Sequence, residues 1–273
     1  MYKREHHQRI ASILEQLNSA LLKEHHCYFG GGTAIALRQN EYRESVDIDF
    51  LVSDINSYRE LRQLLTSSDG IHAISNKDSH LILAREIRAD QYGIRTFIES
   101  GNKKIKFEIV LEGRISFDTP EPNDMIGNIA TLSRLDLMAS KLLANSDRWN
   151  DRVVYSRDMI DLVMLEPSKE ELKKALQKAH LAYGDSINTD LHKAVGALLS
   201  SDARLKECMD MLRIELPKAL LRQKLEDLRT AHLAILNQQV DKKIQQAGNS
   251  QTEKLIDQKL KDIDHILAFL KDK

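Results

Sequence analysis

The sequence has few of the features expected of a secreted or membrane-embedded protein. It has 2 cysteines among 273 residues, Cys27 and Cys208, which lie far apart and without metal-ligand spacing. A disulfide scaffold or a structural zinc site is therefore not expected, and a reducing cytoplasm is the simplest location. No apolar run approaches the roughly 18 residues of a membrane-spanning helix, and the first residues lead into no secretory signal. We expect no membrane partner.

The charge balance excludes a protein that binds nucleic acid through a uniformly basic surface. The chain has 40 Lys and Arg residues against 41 Asp and Glu residues, which gives a formal net charge of −1. A near-neutral total is still compatible with a local basic groove, because clusters of opposite sign cancel in the sum.

Turn-forming and aromatic residues are scarce in the second half of the chain. Eight of the 11 glycines and twelve of the fourteen Phe, Tyr and Trp residues precede residue 160. Strands favour aromatic and β-branched residues and need turns, whereas long helices need neither. We therefore predict an α+β fold, with a mixed-sheet domain over residues 1–125 and an all-α helical bundle domain over residues 126–273.

Hydrophobic spacing predicts individual elements in both halves. In the first half we expect an opening helix across Ile10–Leu22, a strand at 27–29, a helix from Ala34, a strand at 46–52, a helix near 57–67 and antiparallel strands across 71–118. In the second half we expect helices near 133–147, 156–165, 168–183, 188–200, 202–213, 217–246 and 251–271.

Two aspartates in the predicted strand at 46–52 are the first candidates for chemistry. Asp47 and Asp49 are two residues apart, so both carboxylates project from the same face of the strand. Neighbouring carboxylates repel each other and raise each other's pKa unless a cation lies between them. Such hard oxygen ligands suit Mg²⁺, which binds one or two carboxylates together with substrate phosphates. The alternative is a solvated strand face.

A glycine-rich turn precedes this pair. Gly30, Gly31, Gly32 and Thr33 lie between a predicted strand and a predicted helix, and thirteen residues separate Thr33 from Asp47. Glycine lets the backbone approach a phosphate closely, and the start of a helix offers free N–H groups. An ordinary strand-to-helix turn is the alternative, but three consecutive glycines are more than such a turn needs.

A third acid fits the same arrangement. In the segment 104–110, Ile105, Phe107 and Ile109 are expected to face the core, which places Glu108 on the polar face. A glutamate there would complete a metal site or act as general base on the attacking hydroxyl. The alternative is a surface glutamate beside two lysines.

These segments together resemble a known family. Gly31–Leu37 and Arg43–Phe50 closely resemble the AbiEii-type nucleotidyltransferase toxins of the polymerase-β-like nucleotidyltransferase superfamily. Such toxins carry a lysine on the first helix of the second half, followed by a basic residue and Asp-x-x-Asp-Leu. Leu137–Leu143, which contains Lys141, and Arg157–Leu162, which contains Asp158 and Asp161, occupy those places. The resemblance covers about residues 29–165.

The sequence departs from the family pattern at two positions. The third carboxylate is commonly an aspartate across the superfamily, whereas the candidate here is Glu108. Many relatives have a serine after the second glycine of the motif, and Thr33 replaces it here while keeping the hydroxyl. The first departure weakens the assignment of Glu108, and we expect the second to be tolerated.

The resemblance implies a polymerase-β-like nucleotidyltransferase domain that transfers a nucleoside monophosphate from a nucleoside triphosphate to an acceptor hydroxyl. It implies a two-metal Mg²⁺ site whose ligands are Asp47, Asp49 and Glu108. The expected nucleotide-binding residues are Gly31, Gly32, Thr33, Ser45 and Lys141, where Ser45 shares the strand face of Asp47 and Asp49. We expect Asp158 to orient Lys141 or to contact the base, and Asp161 to pack against the helix end.

Three functions are compatible with this reading. The resemblance favours a toxin that acts on RNA, at the acceptor end of tRNA, and has a cognate antitoxin as protein partner. A nucleotidyltransferase that modifies a small molecule such as an antibiotic is the second. The third is a binding protein with a vestigial site, and the intact Asp47-x-Asp49 pair argues against it.

Overall fold

The computed structural model describes residues 2–246 and the side chains of residues 2–242. Its α-helices are α1 (Glu5–Glu15), α2 (Ser19–Glu24), α3 (Gly31–Arg38), α4 (Ile55–Leu65), α5 (Arg134–Arg148), α6 (Arg157–Met164), α7 (Lys169–Tyr183), α8 (Ser186–Leu199), α9 (Asp202–Met211) and α10 (Lys218–Gln246). Its strands are β1 (Tyr28–Phe29), β2 (Ile48–Val52), β3 (Arg88–Ala89), β4 (Gly93–Ser100), β5 (Lys103–Leu111), β6 (Met125–Ile126) and β7 (Ile129–Ala130). The predicted helix at 251–271 lies outside the described residues.

A five-stranded mixed sheet forms the centre of the first half. The strand order is β1-β2-β5-β4-β3, and β2 pairs with β5 in parallel while the other pairs are antiparallel. The register places Asp49 directly beside Glu108 and Leu51 beside Val110. The predicted α+β class with a mixed sheet and a helical second half is confirmed.

One face of the sheet is buried by alternation along β2 and β5. Its fully buried side chains include Ile48, Phe50, Ile105, Phe107 and Ile109. The ring of Phe50 lies between those of Phe29 and Phe107, with both pairs of centroids 5.6 Å apart. Because successive side chains alternate between faces, this burial turns Asp49 and Glu108 to the opposite face.

Two predictions for the first half were wrong. The predicted opening helix is two helices, because Leu17 lies in an extended segment and the side chain of Asn18 caps α2 by accepting from Leu21 N at 3.1 Å. Residues 71–118 are not strands throughout. The first of these residues belong to a 3-10 turn at Gly70–Ile74. The longest antiparallel pair in the segment is β4 with β5.

The predicted helices of the second half that fall within the described residues are confirmed. Serines mark several helix starts, and Ser168 forms a capping box with Glu171 at the start of α7. None of the described helices is both long enough and apolar enough to cross a membrane.

The two halves share a hydrophobic core. Tyr28, Ile35, Ala36 and Tyr42 of the first half are buried in the same cluster as the helices of the second half. The predicted boundary after residue 125 falls inside the hairpin of β6 and β7. The division into domains stays a prediction.

Candidate active site

A cleft of about 470 Å³ lies between the polar face of the sheet and helices α5 and α6. Its walls come from the glycine turn, the segment leading into β2, the end of β5, helix α5, the start of α6 and the end of α9. The sequence-predicted site residues that line it are Gly31, Gly32, Ser45, Asp47, Asp49, Lys141 and Asp158. Thr33 and Glu108 are not among the residues that line it.

Asp47 and Asp49 have no direct ion-pair partner among the described residues, although the charges of Lys106 and Lys141 act on Asp49 from a distance. Neither carboxylate forms an ion pair or hydrogen bond with any residue that the structure describes. Burial raises the pKa of Asp49 to about 6, and the charges of Asp47 and Glu108 add to this effect. The charged form of Asp49 is therefore disfavoured at this place in the fold.

The glycine turn lets other groups approach the start of α3. Gly31 has a φ of +65°, and a Cβ there would lie 2.6 Å from Asp49 Oδ2. A Cβ on Gly32 would lie 2.1 Å from Arg43 Nη2. Gly31 is therefore required both by its left-handed backbone and by the close approach of Asp49. Gly32 is required by the close approach of Arg43.

Thr33 supports the cleft from behind. Its side chain is 1% exposed, and its hydroxyl donates to the backbone oxygen of Asp47 at 2.6 Å. Thr33 Oγ1 also lies 2.8 Å from Ser45 Oγ. Because one hydroxyl has one proton, Ser45 is the donor in that second contact. The hydroxyl of Thr33 therefore fixes Ser45 and Asp47 at the cleft wall.

Lys141 is buried, not a solvated helix lysine. Its Nζ lies 3.0 Å from Asp158 Oδ1 and 2.7 Å from Asp161 Oδ2. Burial alone would lower the pKa of this ammonium, but the two carboxylates outweigh it and raise the pKa. Lys141 is therefore a fixed positive charge at the wall of the cleft.

Asp161 is the centre of a buried ion network. Its side chain is fully buried and accepts from Arg43 Nε at 2.7 Å, from Arg43 Nη2 at 2.9 Å and from the Tyr42 hydroxyl. Asp161 therefore does more than pack against a helix end, because its carboxylate pairs with Arg43 and Lys141. Sequence reasoning assigned no role to Arg43, since nothing local indicates a partner 118 residues away.

Asp158 connects Lys141 to a second arginine. Arg148 Nε donates to Asp158 Oδ2 at 2.6 Å, and Arg148 Nη2 donates to Asp158 Oδ1 at 3.0 Å. Burial would raise the pKa of Asp158, but Lys141 and Arg148 hold it well below its usual range. Asp158 is therefore ionised and fixes Lys141 against the cleft, which is the geometry of an orienting residue.

Glu108 lies beside Asp49 in register but is engaged elsewhere. Its carboxylate accepts from Arg95 Nε at 2.8 Å and from Lys106. No group of three His, Cys, Asp or Glu side chains among the described residues is placed to hold a metal ion. Glu108 is thus held by two basic side chains, whereas Asp47 and Asp49 have no such partners among the described residues, and its role as a third ligand stays a prediction.

A buried histidine that sequence reasoning passed over supports the loop before β2. His7 is fully buried, and its Nε2 accepts from the backbone N–H of Ser45 at 3.2 Å while its Nδ1 lies 2.9 Å from Glu41 Oε1. Burial lowers the pKa of His7, so the ring is neutral at pH 7 and donates to Glu41 through Nδ1. His7 therefore holds Ser45 in place.

The other acids that line the cleft are ion-paired. Glu44 pairs with Arg213, Glu112 with Arg114, and Asp158 with Lys141 and Arg148. Asp47 and Asp49 are thus two uncompensated carboxylates in a cleft that also holds several basic side chains. This arrangement suits a divalent cation that arrives together with a polyanion.

Comparison with known proteins identifies the family. The sequence model of the nucleotidyl transferase AbiEii toxin family, which is assigned to type IV toxin–antitoxin systems, matches residues 12–268. The chain belongs to the AbiEii family. The predicted family and the predicted nucleotidyltransferase class are confirmed. No curated protein matches the sequence.

Two solved structures from Helicobacter pylori are similar to this AbiEii-family chain. One is described as a putative nucleotidyltransferase, with 18% identity, coverage of 85% of this chain and 94% of that chain, and a TM-score of 0.44. The other is JHP933, with 17% identity, coverage of 99% and 100%, and a TM-score of 0.48.

Replacing Asp49 with Asn should separate stability from Mg²⁺ binding in this AbiEii-family protein. A carboxyl whose pKa is raised on folding makes the folded state less stable as the pH rises through that range, so Asn at pH 7 removes an unfavourable charge. We expect the Tm without metal to be unchanged or higher, and the rise in Tm on adding Mg²⁺ to be lost. Thermal unfolding at pH 7 with and without Mg²⁺ measures both.

The matched control is Glu99→Gln, which removes an exposed carboxylate from β4 and should leave the Mg²⁺ response intact. Glu108→Gln in the same experiment tests the third predicted ligand. A full Mg²⁺-dependent rise in the Tm of Asp49→Asn would contradict the metal assignment.

Arg43→Lys should destabilise the fold although it keeps the charge. The guanidinium donates two hydrogen bonds to one buried carboxylate, and an ammonium cannot reproduce this fork. We expect a loss of about 2 kcal/mol in the free energy of unfolding. Arg38→Lys is the control, because Arg38 reaches Asp124 through one nitrogen and is partly exposed. Equal losses of unfolding free energy in the two variants would show that the two hydrogen bonds from Arg43 to Asp161 stabilise the fold no more than the single contact of Arg38.

Proposed function

We propose that this AbiEii-family chain is an Mg²⁺-dependent enzyme that transfers a nucleoside monophosphate from a nucleoside triphosphate to a hydroxyl of RNA. The observation that carries the proposal is the cleft itself, in which the uncompensated Asp47 and Asp49 face the fixed charge of Lys141. Two free carboxylates suit a divalent cation, and the nearby basic side chains suit the phosphates that would accompany it.

The residues present fit Mg²⁺. Asp47 and Asp49 would hold the ion, and the absence of a third ligand among the described residues leaves its other positions to triphosphate oxygens and water. When bound, Mg²⁺ stabilises negative charge on the attacking and leaving oxygens of an in-line displacement. Glu108 remains a proposed ligand of a second ion or a proposed base, and it would have to leave Arg95 and Lys106 to act as either.

The chain's own residues provide the rest of the proposed site. Lys141 binds the triphosphate and neutralises charge as pyrophosphate leaves, while Asp158 keeps its ammonium aimed into the cleft. Gly31 and Gly32 at the start of α3 offer backbone N–H donors to the same space, which Ser45 also lines while its own hydroxyl proton is donated to Thr33. These donors are fixed before substrate arrives, so little reorganisation is needed during transfer.

The proposed acceptor is the 3′ end of tRNA, and the proposed regulator is a cognate antitoxin in the cytoplasm. Both extend the assignment of the family to type IV toxin–antitoxin systems. An intact and charged Asp47–Asp49 pair supports an active enzyme over a protein that acts only by binding.

The direct test incubates the purified chain with each α-labelled nucleoside triphosphate, Mg²⁺ and total RNA. We expect label in a tRNA-sized band with at least one nucleotide, and about a thousandfold less with Asp49→Asn, since metal stabilisation of the transition state is worth several kcal/mol. Label on a small-molecule acceptor but not on RNA would instead support the antibiotic-modifying alternative. Absence of label with every triphosphate and acceptor would contradict the proposal.

Lys141→Met should impair transfer while leaving Mg²⁺ binding intact. Methionine fills a similar volume without the charge, and removing one fixed donor of this kind costs about 100-fold or more in rate. We expect kcat/KM for the nucleotide to fall by that factor and the Mg²⁺-dependent rise in Tm to persist. Lys206→Met, at an exposed position on α9, is the control. Matching kcat/KM values for Lys141→Met and wild type would remove Lys141 from the mechanism.

A further inference from the structure

A second cavity, of about 460 Å³, lies in the helical half outside the proposed active site. Its walls come from the segment between α5 and α6, the end of α8 and the first turns of α9. Two arginines, Arg152 and Arg204, line it together with Tyr155 and Glu207. Its volume falls within the range of small-ligand sites.

This cavity adjoins the active-site cleft. Tyr155 lines the second cavity, while Arg157 and Asp158 line the cleft, so the two spaces lie on either side of one short segment. Helix α9 also borders both, through Cys208 on one side and Met211 on the other. The two spaces are therefore neighbours, separated by this segment and by α9.

The arginines around this segment lack the ion pairs that Arg43, Arg114 and Arg148 of the cleft have. Among the described residues, Arg152, Arg157 and Arg204 have no carboxylate partner, and the side chain of Arg204 contacts the hydroxyl of Ser156 at 3.4 Å and the thiol of Cys208. Arg43, Arg114 and Arg148, by contrast, are all paired with acids. Unpaired guanidinium groups at a cavity wall favour an anionic ligand.

The segment itself has an unusual backbone. Tyr155 and Ser156 are consecutive non-glycine residues with φ of 49° and 51°. Such left-handed conformations cost energy and occur at functional sites more often than elsewhere. Here the two residues turn the chain so that the Tyr155 ring lies at the second cavity while Arg157 and Asp158 enter the cleft.

We propose that the second cavity binds the phosphodiester backbone of the RNA acceptor, upstream of the hydroxyl that receives the nucleotide. Arg152 and Arg204 contact phosphates, and Tyr155 offers an aromatic face on which a base stacks. A free nucleotide has the same phosphate chemistry but cannot span both spaces. Because the two spaces are neighbours, a chain of nucleotides that passes the intervening segment can reach both. This inference rests on the proposed RNA acceptor.

The test compares the full-length protein with the double variant Arg152→Gln/Arg204→Gln. Binding of a labelled single-stranded RNA is measured without nucleoside triphosphate, at several salt concentrations. Each lost single-strand phosphate contact removes about 0.7 from the slope of log K against log salt concentration, so two lost contacts should remove about 1.4. The Kd for the nucleoside triphosphate, measured separately with Mg²⁺, should not change.

Two further variants keep the result interpretable. Arg59→Gln/Arg62→Gln removes two exposed, unpaired arginines from α4 and should leave the salt slope at the wild-type value. Arg152→Lys/Arg204→Lys keeps both charges and should also keep the salt slope. It therefore distinguishes loss of charge from loss of folding as the cause of a changed slope. The Tm of each variant confirms that it is folded.

The proposal is overturned if the salt slope of Arg152→Gln/Arg204→Gln equals that of wild type, or if the α4 variant loses as much. It is also overturned if the double variant weakens triphosphate binding as much as RNA binding, since the cavity would then serve the free nucleotide. Because the RNA measurement contains no triphosphate, it gives an answer even if the protein transfers no nucleotide. The two proposals therefore fail separately.

Discussion

The buried carboxylate of Asp161 is the group on which the rest of the site depends. A charge without access to water is strongly unfavourable unless cations surround it. Arg43, from the loop before β2, supplies one cation, and Lys141, from α5, supplies the other. Neither half of the chain can satisfy Asp161 alone. The interaction that offsets its burial therefore also sets the position of Lys141 relative to the segment that carries Asp47.

The same principle explains why the Asp47–Asp49 pair differs from the other acids of the cleft. Asp158 is compensated by Lys141 and Arg148, and its pKa is low, whereas Asp49 is uncompensated and its pKa is raised to about 6. Two carboxylates that are similarly buried thus have pKa values shifted in opposite directions. The difference follows from the contacts of each carboxylate, since Asp158 contacts two cationic side chains and Asp49 contacts none among the described residues.

Local sequence patterns predicted much of the fold, but they did not predict ion pairs between residues far apart in the sequence. Alternation along β2 and β5 correctly placed Asp49 and Glu108 on one face, because the period of a strand is fixed. The side-chain cap at Asn18 was missed, since the apolar spacing continues through the break between α1 and α2. The partners of Asp161 were not predictable either. No periodicity relates Arg43 to a residue 118 positions later, and no pattern shows that Glu108 would be held by Arg95.

The spacing of the family motif has a physical reason in this structure. Asp47 precedes β2, so strand pairing does not fix it, and its backbone oxygen instead accepts from Thr33 at the glycine turn. The intervening loop is held from two further directions. His7 of α1 accepts from Ser45 N–H, and the backbone oxygen of Leu212, after α9, accepts from Glu44 N–H at 3.2 Å. A loop of another length could not meet all three contacts at once. The distance in sequence between the glycine turn and the aspartates is therefore a condition for placing the unpaired carboxylate of Asp47 accurately.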